Sequence, residues 1–259
     1  MRRASFAVLI VALYVFIFAP LVVVILVSLN SGSVATLPLE SVSLRWYWKA
    51  IETKSFVDSL LTSSWIAVGA TLIAAPLALA ATIGLLQGRF RWRSAIESFL
   101  LAPLLVPGIV FGIALLLTFS VIGVRPGPGR LLAAHVVIAF PYCVRTILAS
   151  LARLDPALLE GARTLGATSF GAFRFITLPL AMPGIAAGML FAFLQSFGDV
   201  PVSLFLADAR NMTLPLAIMG YLEYSADPSV AAMSSLVTIV SLAAALLLER
   251  SFGLRKALG

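Results

Sequence analysis

The sequence is dominated by uninterrupted apolar stretches, each long enough to cross a bilayer as a helix of about 20 residues. Because a segment in lipid must satisfy its own backbone hydrogen bonds, we expect each stretch to be helical. The strands of a membrane barrel would instead alternate apolar and polar residues in segments of about ten. The sequence therefore predicts an all-α integral membrane protein, with residues 1–259 forming a single transmembrane domain. The six predicted spans are residues 6–29, 60–86, 98–121, 131–152, 181–207 and 228–248.

The composition excludes several other classes of protein. Hydrophobic residues make up 61% of the chain and charged residues only 11%, whereas roughly a quarter of the residues in a soluble domain are charged. Disordered chains are poor in apolar residues and are excluded as well. The single histidine, His135, and the single cysteine, Cys143, cannot build a multi-histidine metal centre or an internal disulfide. We expect both to be packing residues, and we expect this chain to bind no metal or other cofactor.

The cations are divided unequally between the two sides of the predicted domain. With six spans both termini lie on one side, and the positive-inside rule places the more basic, terminal side in the cytoplasm. The first span exceeds the apolar core of a signal peptide, about 7–15 residues, so we expect a retained anchor. The net charge of +7 arises from the excess of cations on the cytoplasmic side. Because this excess is explained by orientation in the membrane, we expect no nucleic-acid binding. The terminal-side cations are Arg2, Arg3, Arg89, Arg91, Arg93, Arg145, Arg153, Arg163, Arg174, Arg250, Arg255 and Lys256.

The first outer loop carries a cluster of aromatic and basic residues. Trp46, Tyr47 and Trp48 lie between Arg45 and Lys49. Aromatic side chains are enriched at the membrane–water interface. The cluster predicts a short helix lying at that surface, or a surface that contacts an external partner.

The loop between the fourth and fifth spans, residues 153–180, is predicted to form a hairpin of two short helices. Asp155 can cap the first helix, with Pro156 at its first position. Gly166 suits the C-terminal stop, where a positive φ is needed. Thr168 or Ser169 can cap the second helix. We expect Pro179 and Pro183 to break the chain before the fifth span.

The predicted hairpin has an apolar face. Leu158, Ala162 and Leu165 recur at helical spacing on its first helix, and Phe170, Phe173 and Ile176 follow on the second. Such a face is costly in water. It predicts either a docking element for a soluble cytoplasmic protein or a helix lying on the bilayer.

The same loop carries a pattern that resembles the EAA loop of permease subunits of bacterial ABC importers. The pattern is formed by Glu160, Gly161, Ala162, Gly166, Ile176, Leu178 and Pro179. Gly161 departs from it, because alanine is usual there, and should weaken the helix by up to about 1 kcal/mol. The resemblance extends over nearly the whole chain, including Ala19-Pro20 and the run from Gly198 to Ser203. It is strongest to the second permease subunit of polyamine importers.

The resemblance implies a type I importer permease fold in the bacterial inner membrane, with the hairpin as a coupling helix seated in a cytoplasmic ATPase dimer. It also implies a second, different permease subunit and a periplasmic solute-binding protein. ATP and magnesium would be used by the ATPase subunits, because this sequence contains no glycine-rich phosphate loop ending in Gly-Lys-Ser/Thr. The solute implied is a polyamine such as spermidine or putrescine. Related permeases handle aminoalkylphosphonates, opines, thiamine or ferric iron.

Asp199 is an ionisable residue within the predicted fifth span. Such residues are expensive in a membrane and usually face a cavity or a partner. With the nearby Gln195 and Ser196, Asp199 could receive a cationic amine on the substrate pathway. The alternative is a structural role as the partner of an interhelical donor.

The two alternatives to a transporter are an intramembrane enzyme and a membrane scaffold. An intramembrane enzyme would need paired carboxylates, a histidine cluster or an activated nucleophile within the spans, and the sequence has none of these. A membrane scaffold without transport would share the spans but would not need the hairpin pattern.

Overall fold

The computed structural model of the chain describes residues 2–88, 91–152, 154–225 and 227–252. The regular elements within these ranges are helical, apart from an antiparallel bridge between Asn30 and Val42. The helices are α1 (Arg2–Ser28), α2 (Arg45–Glu52), α3 (Lys54–Gln87), α4 (Arg93–Leu101), α5 (Gly108–Val121), α6 (Pro128–Leu151), α7 (Pro156–Thr164), α8 (Ser169–Ala172), α9 (Leu178–Phe197), α10 (Pro201–Leu206), α11 (Leu214–Tyr224) and α12 (Ser229–Phe252). The predicted cytoplasmic cations Arg89, Arg153, Arg255 and Lys256 lie outside the described residues.

Five helical segments of the described chain are long and apolar enough to cross a membrane, and a bent pair makes a sixth if it is counted as one span. The all-helical prediction is therefore confirmed, and the described residues contain five or six candidate spans. The five segments are Phe6–Ser28, Lys54–Gln87, Pro128–Leu151, Ser169–Phe197 and Ser229–Leu247.

The third predicted span, residues 98–121, is not one straight helix. The segments Arg93–Leu104 and Gly108–Val121 are bent by 102° at the break between them. Pro107 takes up an extended backbone conformation, with φ −54° and ψ 130°. A proline also disfavours the helical conformation of the residue before it. The sequence did not predict this break, because the stretch is apolar throughout.

The fifth predicted span, residues 181–207, also differs from the structure. Helix is continuous over Ser169–Phe197, so the prediction that Pro179 and Pro183 break the chain is wrong. A π-helical turn, Phe173–Thr177, precedes α9. In a regular α-helix, the ring of Pro179 would clash with the backbone carbonyl four residues before it. That carbonyl lies within the wider π-helical turn. Membrane helices tolerate prolines through local adjustments of this kind. The second hairpin helix is consequently the first part of a spanning helix.

One compact unit comprises residues 1–59 and 217–242. Within it α2 is the predicted short helix, held by the buried Trp46, whose indole Nε1 donates to Asn30 O at 2.7 Å. The Tyr47 hydroxyl lies 2.7 Å from Ser28 Oγ. Lys49 Nζ donates to Asp227 Oδ2 at 2.6 Å. These contacts anchor α2 to the end of α1 and to the segment that precedes α12.

The ion pair between Lys49 and Asp227 should make this unit sensitive to acid. Burial alone would raise the pKa of Asp227, but hydrogen bonds from Lys49 and Ser229 bring it below its ordinary value of 3.8. The hydrogen bond to Asp227 raises the pKa of Lys49. A lowered pKa means that the folded protein stabilises the ionised form of Asp227. The resulting contribution to folding stability is present above pH 3.8 and is lost as the pH falls through the lowered pKa.

We expect Asp227→Asn to lower the thermal unfolding midpoint slightly at neutral pH, because the pair is partly exposed and screened. The difference from the unsubstituted protein should shrink at a pH below the aspartate pKa. A difference that is independent of pH would contradict this assignment. Lys49→Met should reproduce the neutral-pH loss.

The second compact unit comprises residues 60–216 and 243–259, and its centre is the pair α6 and α9. Gly184 and Gly188 of α9 lie against the backbone of α6. A Cβ added at Gly188 would lie 2.5 Å from Thr146 Oγ1 and 2.9 Å from Cys143 Cα. Small residues at a helix interface allow this close approach.

Gly188→Ala is therefore expected to destabilise the protein by about 1–3 kcal/mol through overpacking. Gly84→Ala is the matched control, because nothing lies within 4 Å of an added Cβ there. That control should stabilise α3 by up to about 1 kcal/mol through helix propensity. Thermal unfolding in detergent measures both, and equal effects of the two substitutions would contradict the close packing of α6 and α9.

Candidate functional site

The hairpin is built by local capping interactions that the sequence predicts. Asp155 Oδ1 accepts a hydrogen bond from Ala157 N at 2.9 Å, and Pro156 occupies the first position of α7. Gly166 has a φ of +85°. Its N–H donates to Arg163 O and the next N–H donates to Ala162 O, both at 2.9 Å. This is a Schellman termination, in which glycine adopts the positive φ at little cost.

The second part of the hairpin begins with a side-chain cap. Thr168 Oγ1 accepts from Gly171 N at 3.1 Å, which identifies Thr168 rather than Ser169 as the capping residue. Helix then continues through α8 and the π-helical turn into α9. The hairpin is therefore one short helix followed by the first turns of a 29-residue helical segment.

Four large apolar side chains of the hairpin are exposed. Leu165 is 90% exposed and Leu158 is 51% exposed. Phe170 and Phe175, on the segment after the turn, are also mostly exposed. An exposed surface of this kind marks a site of interaction with a protein or a membrane.

The residues of the EAA-like pattern do not share one environment. Glu160 and Gly161 of α7 are exposed, and Ala162 is half-buried. An added Cβ at Gly161 or at Gly166 would meet nothing within 4 Å. Ile176 and Leu178 are half-buried, whereas Pro179 is exposed. The first half of the pattern is thus available for contact, and the second half joins the hairpin to α9.

Asp199 lies in a break between α9 and α10 rather than inside a helix, and it is only 4% exposed. Its Oδ2 accepts from Val202 N at 3.1 Å, from Ser203 N at 2.8 Å and from Ser203 Oγ at 3.1 Å. The first N–H groups of a helix lack backbone partners. The carboxylate supplies the missing acceptor. This role is structural, but its donors lie at the start of the helix that directly follows Asp199, so it differs from the expected pairing with an interhelical donor. The pathway role stays a prediction.

A buried polar network connects this break to α6. Because Ser203 Oγ donates to Asp199, it must accept from His135 Nε2, which lies 3.1 Å away. In the neutral imidazole, His135 Nδ1 then accepts from Ser196 Oγ at 2.7 Å. The expectation that His135 is a packing residue omitted this role. The available signal was that a lone imidazole in an apolar span requires hydrogen-bond partners.

The structure separates Gln195 from this network. Gln195 Oε1 accepts from the Tyr142 hydroxyl at 3.0 Å. Ser196 is linked to Asp199 through His135 and Ser203, and also through a backbone hydrogen bond from Asp199 N to Ser196 O at 3.5 Å. Among the described residues, no group of three His, Cys, Asp or Glu side chains could hold a metal ion.

The α10 residues that follow Asp199 pack against α5. A Cβ added at Gly112 would lie 2.8 Å from Pro201 O and 2.9 Å from Phe205 Cδ2. A Cβ at Gly108 would lie 2.9 Å from Pro201 Cβ. The cap at Asp199 therefore fixes a short helix that packs closely on both glycines of α5, through its backbone at Gly112 and through the Pro201 ring at Gly108.

We expect Asp199→Ala to destabilise the protein by about 2–4 kcal/mol, because it leaves two buried N–H groups and the Ser203 hydroxyl without their acceptor. Asp199→Asn keeps an acceptor oxygen and should cost less. Asp208→Ala is the control, because Asp208 caps a turn through Arg210 N and Asn211 N, and its loss should cost about 1 kcal/mol. Denaturation in detergent distinguishes them, and a cost at Asp199 no larger than at Asp208 would contradict the capping role.

The sequence and the fold of this chain are similar to those of known transport proteins. Residues 74–253 match the family described as "Binding-protein-dependent transport system inner membrane component". The chain is 30% identical over 231 residues to the spermidine/putrescine transport system permease protein PotC of Escherichia coli (strain K12), covering 89% of this chain and 87% of that protein. It is 31% identical to the putrescine transport system permease protein PotI of Escherichia coli (strain K12), covering 86% and 82%.

A solved structure shares the fold. It is the crystal structure of a bacterial ABC transporter involved in the import of the acidic polysaccharide alginate. One of its chains superposes with a TM-score of 0.69 at 16% identity, covering 96% of this chain and 95% of that chain. The chain belongs to the family of binding-protein-dependent transport system inner membrane components, and it is a multi-pass permease subunit of an ABC importer.

Proposed function

We propose that this permease subunit imports a polyamine such as spermidine or putrescine. The observation that carries this proposal is the identity of 30–31% to two polyamine permeases over most of the chain. A periplasmic solute-binding protein would deliver the polyamine, and a second, different permease subunit would complete the pathway. Two cytoplasmic ATPase subunits, using ATP and magnesium, would drive the change between outward-facing and inward-facing states.

The hairpin is proposed to be the coupling segment, with both termini in the cytoplasm. Its support is the exposed apolar side chains of Leu158 and Leu165 beside the exposed Glu160. Gly161, Ala162 and Gly166 let a partner approach closely, because they present little or no side chain. Ile176, at the end of the π-helical turn, and Leu178 and Pro179, the first residues of α9, would connect this contact to the rest of α9. Asp199, Gln195 and Ser196 are retained as substrate-pathway candidates, with Asp199 acting at least as a helix cap.

The solute can be identified with proteoliposomes that contain the complete importer and its binding protein. We expect ATP-dependent uptake of labelled spermidine or putrescine and no uptake without the binding protein. Uptake confined to an aminoalkylphosphonate, an opine, thiamine or ferric iron would contradict the polyamine assignment and leave the transporter class intact.

The coupling role predicts a specific pattern of defects. Glu160→Ala and Gly166→Val should reduce both uptake and the ATPase stimulation caused by the binding protein. Gly166→Val also forces a positive φ on a β-branched residue, which costs about 1–2 kcal/mol. Gly161→Ala is the matched control in the same helix, since alanine is usual at this position of the EAA loop and an added Cβ meets nothing within 4 Å in this chain.

The control should retain coupling and strengthen α7 slightly. Membrane abundance of each variant separates lost coupling from lost folding. If Glu160→Ala and Gly166→Val both retain uptake and stimulated ATPase activity, a scaffold without coupling becomes the better description of the hairpin.

A further inference from the structure

A cavity of about 710 Å³ lies beside α7, within the second compact unit. Its walls come from the last turns of α3 and α6, from α4 and from α7. Since α3 and α6 are long and apolar enough to span the membrane, the cavity lies at the ends of two spans. Lipid headgroups are found at this level of a membrane protein.

The charged side chains that line the cavity carry an excess of positive charge. Three are arginines and two are glutamates: Arg93, Arg145, Arg163, Glu97 and Glu160. No two of these five described side chains form an ion pair within 4.0 Å. The arginine guanidinium groups are therefore not paired with the neighbouring carboxylates. Such a cavity favours an anion and disfavours the cationic solute proposed above.

A buried hydroxyl on the cavity wall also lacks a partner. Thr177 is 2% exposed, lines the cavity, and its Oγ1 makes no hydrogen bond. An unsatisfied buried polar group costs about 1–3 kcal/mol. A ligand with an acceptor oxygen would satisfy it, and this observation is independent of the arginine charges.

The rest of the lining is largely apolar. Leucine side chains from α3, α4, α6 and α7 contribute to it, including Leu86, Leu101, Leu148 and Leu159. A free phosphate ion would leave these side chains without a contact. An amphiphile with a phosphate and a hydrocarbon part matches both halves of the wall.

We propose that this cavity binds an anionic phospholipid. The guanidinium groups of Arg93, Arg145 and Arg163 hold the phosphate, since arginine binds phosphate with charge-assisted hydrogen bonds. The Thr177 hydroxyl donates to a headgroup oxygen, and the leucines contact the acyl chains. Basic pockets between membrane helices are known to recognise lipid headgroups in this way. The bound lipid would lie directly against α7, at Glu160 of the proposed coupling segment.

Native mass spectrometry of the full chain, purified in detergent with the subunits that accompany it, tests this proposal. Phosphatidylglycerol and phosphatidylcholine are the two probes. We expect preferential retention of phosphatidylglycerol, reduced roughly fivefold by Arg93→Gln or by Arg145→Gln. Arg91→Gln is the matched control, because Arg91 is exposed and does not line the cavity.

Thr177→Val provides a variant that does not depend on charge. It removes an unsatisfied hydroxyl at nearly constant volume, so the lipid-free thermal midpoint should stay the same or rise. Retention of phosphatidylglycerol should nevertheless fall. This readout is separate from solute uptake, so failure of the polyamine assignment would leave it unchanged.

Several results would overturn the proposal. One is equal retention of the two lipids by the unsubstituted protein, and another is an equal loss in Arg91→Gln. Full displacement of phosphatidylglycerol by inorganic phosphate would assign the arginines to a soluble anion instead. Unchanged lipid retention in Arg145→Gln, together with lost ATPase stimulation, would assign the cavity to a protein partner.

Discussion

The structure depends on one constraint, which is that no backbone polar group can remain unpaired in lipid. Helices therefore continue through Pro76 in α3, Pro141 in α6 and Pro183 in α9. Where the backbone does leave the helix, after α9, the Asp199 carboxylate takes over the role of the missing acceptor. The Asp199 side chain, of a type that is expensive in a membrane, here accepts hydrogen bonds from two backbone N–H groups at the start of α10.

The His135 imidazole connects the break at Asp199 to α6. His135 bridges Ser196, before the break, and Ser203, after it, so the two sides of the break are held to the same helix. The hairpin and this break lie at opposite ends of the helical segment Ser169–Phe197. A displacement imposed on the hairpin would be carried along an unbroken helix to the network at Asp199.

Local features were predictable from the sequence, and features set by distant contacts were not. The Asp155 cap, the Gly166 turn and the Thr168 cap each depend on residues within five positions of one another, and all three are confirmed. The breaks at Pro107 and at Asp199 were missed because hydropathy is continuous across them. The partners of His135 lie 61 and 68 residues away in the chain, and no local pattern encodes them.

The central functional claim is that the exposed tip of the hairpin contacts a cytoplasmic ATPase. Leu165→Cys tests it directly, because Leu165 is 90% exposed and the natural cysteine, Cys143, is fully buried. A membrane-impermeant maleimide should label this variant in inside-out vesicles stripped of the ATPase, and labelling should fall when the ATPase is added back. Labelling from the periplasmic side, or labelling unaffected by the ATPase, would contradict the account.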